Sequence, residues 1–439
     1  MMPFRTLDLA TARAEDVQSL VERSAVPDAE LRRAASSIVD SVRSGGDAAL
    51  LAASTRFGGS RADGATRVPA SEIAQARAAA DPALVAALQT AIAHIRTAHE
   101  PQRPVDAPLE VVPGVRVDRR WQPCSRVGVY VPGGQASYPS SLLMGVIPAQ
   151  IASVSDIAIA TPADGGGTVS PALLTAAAIL GVHEIHAMGG AQAIAALAYG
   201  TETVTRVDKI VGPGNAWVTA AKLAVFGDCA VDLPAGPSEA LVIADHTADA
   251  RIVAADLLCQ AEHGPDSPVV LVTTSPALAD AMPTEVDAHL EHLERVEILA
   301  KSLADHARIV LAPDIDAAVG FANRYAPEHL SIHTADARAV AERCTAAGSV
   351  FVGHWSPESA GDYATGANHV LPTGGLARSH GPLSVEDFGS WRQVQELTRD
   401  GLEVLLPTIT ELAGAEGLSA HALAATIRFR AAPAREAGR

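Results

Sequence analysis

Glu328 and His329 stand side by side after Ala326-Pro327, at the start of the apolar run Leu330-Ser331-Ile332. A carboxylate beside an imidazole suits general-base work, the imidazole taking a proton directly or the carboxylate drawing one from water. Neighbours on a strand point to opposite faces, so both act only from an irregular lead-in of the kind Pro327 enforces. A solvated strand start accounts for them equally well. Gln260 and His263 form a second pairing, on a helix expected over Asp249 to Glu262. Val253, Leu257 and Gln260 share one face there, with His263 three residues on, so an apolar stripe ends in two polar side chains. Gly264-Pro265 stops that helix, and a His near a helix C-terminus is favoured by the dipole, so a capped end competes with a metal site. Asp362 and His369, a hard oxygen ligand and an imidazole, lie in the long Gly- and Pro-rich stretch Gly348 to Phe388. That stretch opens with the short strand Val350–Val352 and then loses any helical period. A loop of such length in a compact domain is a functional segment. Glu416 and His421 stand on the C-terminal tail. Each is explained as a surface residue, but Gln260, His263, Asp362 and His421 together make a mixed N/O set of the kind zinc accepts.

Those residues need elements to carry them. From Arg126 the chain alternates strand, Gly-rich turn and helix, with strands at Val127–Val131, Asp156–Ala160, Glu184–Met188 and Lys209–Val211. A second run follows, with strands at Leu241–Ala244, Val269–Thr273, Arg308–Leu311, Leu330–Ile332 and Val350–Val352. This alternation predicts α/β architecture: two Rossmann-like parallel-sheet domains facing each other across a cleft, with ligands at the carboxyl ends of the strands. Residues up to about 55 read as exposed helical pieces broken at Pro27 and Gly45-Gly46. A further helix pair is expected over Ala70 to His99, and a helical tail from Ser384 to Arg430 broken at Gly401, Pro407 and Gly417. Turns at Pro132-Gly133-Gly134, Gly189-Gly190 and Gly212-Pro213-Gly214 each follow a strand. The last begins like GxGxxG, but position 217 is Trp, and no full fingerprint occurs. A dinucleotide would be held instead by helix N-termini and by side chains such as Gln192 and Asn215.

Composition narrows the partners. The formal charge of −17 argues against a nucleic-acid or anionic-membrane surface. Cys124, Cys229, Cys259 and Cys344 are far apart, without a CxxC pair, so neither a disulfide framework nor a thiolate zinc site is expected. The N-terminus has acidic residues and no apolar core of a signal peptide, and Pro148, Gln150 and Asp156 interrupt the apolar stretch Leu142 to Ala160 before it could span a bilayer. A cytoplasmic protein is expected.

Eight ordered blocks then carry a resemblance: RVGVYVPGG, YPSSLLMGVIPA, VDKIVGPGNAWV, DLPAGPSEALVIAD, DLLCQAEHG, NRYAPEHLSI, GDYATGANHVLPTGG and EGLSAHALA. Together they resemble the histidinol dehydrogenase family. The resemblance implies oxidation of L-histidinol to L-histidine through the aldehyde, with two NAD used in sequence, as the last steps of histidine biosynthesis. It implies Gln260, His263, Asp362 and His421 as ligands of a zinc ion that holds the substrate, and Glu328 and His329 as the catalytic bases. Ser238, His369 and Glu416 would join His329 and the metal ligands in contacting substrate, and Tyr130, Gln192 and Asn215 would contact NAD. It further implies an intertwined homodimer whose tail, through Glu416 and His421, completes the partner's site. The expected organisation is a helical N-terminal arm over 1–25, a first α/β domain over 26–129 plus 239–380 bearing the metal and catalytic residues, a second on the NAD side over 130–238, and the tail over 381–439. A zinc hydrolase, a non-enzymatic ligand-binding relative and the same oxidation of another amino alcohol are the competing readings.

Overall fold

The computed structural model describes residues 4–133 and 137–430. Gly134 of the expected Pro132-Gly133-Gly134 turn, the first three residues of the arm and the last nine of the tail lie outside the described residues. The chain forms two compact units, Met1–Arg103 with Cys124–Phe388, and Pro104–Pro123 with Gly389–Arg439.

The first unit is built on two parallel sheets. The larger runs, edge to edge, Arg5–Asp8, Ala307–Leu311, Val269–Thr273, Ala240–Ala244, His329–His333 and Ser349–Val352. The smaller runs Ile185–Ala187, Asp156–Thr161, Arg126–Tyr130, Lys209–Val211 and Ala230–Val231. Central strands such as VVLVT and ALVIA are buried at every position, as a parallel sheet covered on both faces requires. Strand order reverses between Arg126–Tyr130 and Lys209–Val211 in the smaller sheet, and between Ala240–Ala244 and His329–His333 in the larger. The expected doubly wound architecture is present in both. The smaller sheet takes all of Arg126–Tyr130, so the expected domain boundary at 130 cuts a strand whose register with Asp156–Thr161 is continuous.

Two features depart from expectation near the N-terminus. Arg5–Asp8 is an exposed edge strand paired to Ala307–Leu311 rather than part of a helix; four residues are too few to show a period. The helix Ala29–Phe57 is not merely an exposed arm. Ala35, Val39, Val42 and Leu50 are buried in the core cluster that also holds residues of the helices Gly190–Tyr199 and Ala216–Val225. Its break falls at Gly46, where φ is 55°.

The second unit contains a three-stranded antiparallel sheet. Gly389–Leu397 pairs along its length with Val115–Pro123, which also pairs with Glu110–Val112. The tail is therefore helical in the short 3-10 turn Val385–Phe388 and then again only from Arg399. The helices Arg399–Ala415 and Ser419–Thr426 are separated at Gly417, where φ is 71°. Pro407 does not break the first of them: Pro407 and Glu403, four residues back, are both exposed, and water can satisfy the carbonyl that Pro leaves unpaired.

The loop after Ser349–Val352 is anchored through its backbone. Gly366 has φ of 87°, and an added Cβ would run into the carbonyl of His94. Gly366→Ala is expected to lower stability by roughly 2–4 kcal/mol, read as a shift of the urea midpoint, because both the backbone region and the space demand glycine.

Candidate active site

The helix Ala250–Ala261, N-capped by Asp249, returns from the carboxyl end of Ala240–Ala244 and delivers Gln260 and His263 to the amino edge of the larger sheet. There His263 Nε2 lies 4.0 Å from Asp362 Oδ2 and 4.0 Å from Glu358 Oε1. These groups are mutually close enough for a single cation to bind all three. Gln260 is fully buried, and neither its amide oxygen nor its amide nitrogen has a hydrogen-bond partner among the described residues. Glu358 Oε1 is buried and unpartnered as well. Buried polar atoms rarely go unsatisfied, so an imidazole and two carboxylates around one point, with an orphaned amide three residues before that imidazole, fit an N/O-ligated metal.

Glu358 escaped the reading of the sequence. It stands on the short helix Glu358–Tyr363, four residues before Asp362 and so on the same face. That spacing was the available signal, but six helical residues inside a Gly-rich loop do not announce a period.

Glu328 and His329 open the strand His329–His333, and the lead-in is irregular in the required way. Ala326 ends the helix Ile315–Tyr325 in the left-handed region, with φ of 53°, and Pro327 follows. The two side chains consequently lie together, with Glu328 Oε2 3.7 Å from His329 Nδ1, and His329 Nδ1 4.0 Å from Glu358 Oε2. Burial raises the Glu328 carboxyl well above its ordinary range, and the charges of Glu239 and Asp362 add to this against hydrogen bonds from the Glu239 N–H and Ser238. Burial likewise raises Glu358, with Asp362 and Glu328 contributing. Burial alone brings Asp362 up to about 6. It pushes His329 down to about 3 and His369 down to about 4, so both imidazoles are neutral near pH 7, as a proton acceptor must be. His369 Nδ1 sits 3.0 Å from the Asp362 carbonyl, and its Nε2 sits 3.3 Å from Ser141 Oγ, on a helix that covers the smaller sheet. Asn368 donates to the Met144 carbonyl of the same helix at 3.0 Å, so this loop ties the two sheets together.

The metal-type cluster and base pair thus lie at the amino edge of the larger sheet, where the carboxyl edge was expected. In the smaller sheet the residues implied for NAD lie beside the carboxyl ends of the strands. Tyr130 ends Arg126–Tyr130, and its hydroxyl accepts the Gly190 N–H at 3.2 Å. Gln192 is buried in the first turn of the helix Gly190–Tyr199. Asn215 caps the helix Ala216–Val225, its side-chain oxygen accepting from Trp217 and Val218. The preceding turn has Gly212 at φ of 115° against the Tyr130 carbonyl, and a buried ion pair braces it: Asp232 accepts the Gly212 N–H at 2.6 Å, while Lys222 bonds to the Gly212 carbonyl and to Asp232. Ser238, half-buried, directly precedes Glu239 and the strand Ala240–Ala244. Glu416 and His421 belong to the second unit, at the end of Arg399–Ala415 and on Ser419–Thr426, and both are exposed.

Comparison with known proteins supplies the lineage. The family model described as histidinol dehydrogenase matches residues 21–429. The chain belongs to the histidinol dehydrogenase family. It is similar to the histidinol dehydrogenase of Vibrio cholerae serotype O1, with 46% identity over 97% of this chain and 98% of the relative. It is also similar to that of Methanothermobacter thermautotrophicus, with 45% identity over 94% and 97% of the two chains. The crystal structure of histidinol dehydrogenase from Elizabethkingia anophelis superposes with a TM-score of 0.91 at 37% identity, covering 98% of each chain. Membership in the histidinol dehydrogenase family makes this chain a dehydrogenase enzyme.

Proposed function

We propose that this enzyme oxidises L-histidinol to L-histidine through L-histidinaldehyde, using two NAD in succession, in the last steps of histidine biosynthesis. The observation that carries the proposal is the meeting of a neutral, buried His329 and the carboxyl of Glu328 with the donor cluster of His263, Asp362 and Glu358. Gln260, His263 and Asp362, with His421 of the partner subunit, would hold zinc, a redox-inert Lewis acid that fixes the substrate's imidazole and amine. NAD, held by Tyr130, Gln192 and Asn215, supplies the hydride acceptor for both oxidations.

The remaining work belongs to the chain's own side chains. His329 takes the hydroxyl proton of the alcohol, and later that of the aldehyde hydrate. Glu328, whose burial makes its ionised form a stronger base than an exposed carboxylate, takes a proton from the water that adds to the aldehyde. Ser238, His369 and Glu416 hold the substrate's polar groups, so that alcohol, aldehyde and hydrate react at one position. In this reading the larger sheet and its flanking loops present the metal and bases, the smaller sheet presents NAD, and the tail of each subunit in a homodimer completes the other's site. The second unit exposes Val404, Leu412, Leu418, Leu423 and Ile427, apolar surface that a partner subunit would cover. Among the described residues no single helix is long and apolar enough to cross a membrane. We place the enzyme in the cytoplasm.

The test is NADH formation from L-histidinol with histidine quantified. About two NADH per histidine are expected from the two hydride transfers, lost on chelation and restored by zinc. Turnover without NADH would indicate a hydrolase, and no NADH from folded, zinc-loaded protein would overturn the proposal.

A further inference from the structure

One buried ion pair has no task in that scheme. Arg23, just past the helix Ala14–Val21, grips Glu239 with both arms of its guanidinium, Nε to Oε2 at 2.9 Å and Nη2 to Oε1 at 2.6 Å. Its Nη1 donates to the Tyr325 carbonyl at 2.8 Å, and the guanidinium lies over the Tyr325 ring. Glu239 is 2% exposed and accepts a further hydrogen bond from the Gly374 N–H at 3.1 Å. The Glu239 carboxylate is therefore held by three hydrogen bonds from two partners, with Arg23 in a rigid fork geometry that lysine could not reproduce.

The residue so held is the one whose main chain the proposed bases touch. The Glu239 N–H donates to Glu328 Oε2 at 2.9 Å. The Glu239 carbonyl accepts the His329 N–H at 3.2 Å and lies 3.4 Å from His329 Nδ1. The main-chain bond is a rung of the ladder that pairs His329 opposite Ala240 and would form in any such sheet. The contacts to Glu328 Oε2 and His329 Nδ1 are not ladder bonds; they aim two side chains from the main-chain N–H and carbonyl of one residue. An imidazole whose Nδ1 faces a carbonyl carries its proton there and turns the lone pair of Nε2 outward.

We propose that Arg23 and Glu239 are positioning residues for the reaction: their ion pair fixes the main chain of Glu239, whose carbonyl selects the basic tautomer of His329 and whose N–H orients Glu328. The proposal rests on the reading of His329 as the base. Neither Arg23 nor the Glu239 side chain needs to touch substrate, metal or NAD. Their effect belongs to kcat, with substrate binding left alone.

A merely structural tie is the alternative, because Ala25 lies against Gly236 and Gly374 and links the N-terminal segment to the same region. A double-mutant cycle separates the two. The first NADH formed per site from L-histidinol is measured for the zinc-loaded full-length enzyme, for Arg23→Ala, for His329→Asn and for the double variant. Arg23→Ala is expected to lose roughly 10- to 100-fold in kcat, with KM for histidinol and bound zinc unchanged. In the His329→Asn background the same change is expected to cost less than about twofold, because the group it orients is gone. Arg23→Lys, which keeps the charge but not the fork, is expected to recover part of the loss. Equal losses in both backgrounds, or a loss confined to KM, would overturn the proposal. Near-normal activity of His329→Asn would instead strike at the reading of His329 itself. If Arg23→Ala does not fold, Glu239→Gln is carried through the same cycle with the same criteria.

Discussion

Glu328→Gln is expected to split the reaction at the aldehyde. Alcohol oxidation should persist within a few-fold, while oxidation of supplied aldehyde falls by roughly 100- to 10,000-fold, the usual contribution of one general base. The NADH yield per histidinol should drop from about two towards one as the second hydride transfer fails. His329→Asn is expected to lower both oxidations by that factor, since each releases a hydroxyl proton to the imidazole. The contrast is interpretable because the two side chains share one support. Glutamine still presents an oxygen to the Glu239 N–H, so His329 keeps its neighbour and its orientation. Folding should not suffer either, because burial already favours the neutral form of the Glu328 carboxyl and glutamine is a neutral side chain of the same shape. An aldehyde rate left unchanged in Glu328→Gln would remove that carboxylate from the mechanism.

Much of this site was legible in one dimension because its residues come in local pairs. Gln260 and His263 share a helix face, Glu328 and His329 follow a proline that excludes a regular strand start, and Asp362 and His369 share a Gly-rich loop. The parallel sheets were equally plain, since fully buried strands leave unbroken runs of Val, Ile and Ala. What escaped depends on the third dimension. Glu358 faces His263 from another segment, with only its spacing to Asp362 as a hint. Arg23 reaches Glu239 across 216 residues, and a lone arginine after a short helix reads as surface. Gly389–Leu397 alternates polar residues on both faces, so its strand character comes from its partner Val115–Pro123. The position of the site at the amino edge of the larger sheet also ran against the general rule for parallel sheets. The rule concerns the crevice beyond the carboxyl ends, whereas here Glu239 and Glu328 use the lead-ins to two adjacent strands.

Replacing Asp362 should reverse the sign of its effect on stability according to whether metal is bound. In the metal-free protein the carboxyl is buried and raised from 3.8 to about 6. A carboxyl with a raised folded-state pKa binds its proton more tightly in the folded chain, so folding loses stability as the pH rises from about 4 to about 6, and the loss persists above that. The penalty at neutral pH is on the order of 2–3 kcal/mol. Asp362→Asn removes it, and the chelated variant is expected to melt at or above the chelated parent. With zinc present the order inverts, because the parent gains the binding free energy of a complete ligand set and the variant lacks one anionic ligand. Loss of that ligand should weaken zinc retention by more than about 100-fold, beyond the roughly 10- to 100-fold typical of removing an outer-shell partner. Glu358→Gln provides the graded comparison: if Glu358 supports the ligands without binding the ion, its loss falls within that smaller range. Competition against a chelator of known affinity reads retention directly, and thermal unfolding with and without zinc reads the inversion, both without recourse to activity. An Asp362→Asn variant that holds zinc like the parent would take Asp362 out of the ligand set, and with it the account of why an acidic side chain is kept buried at this position.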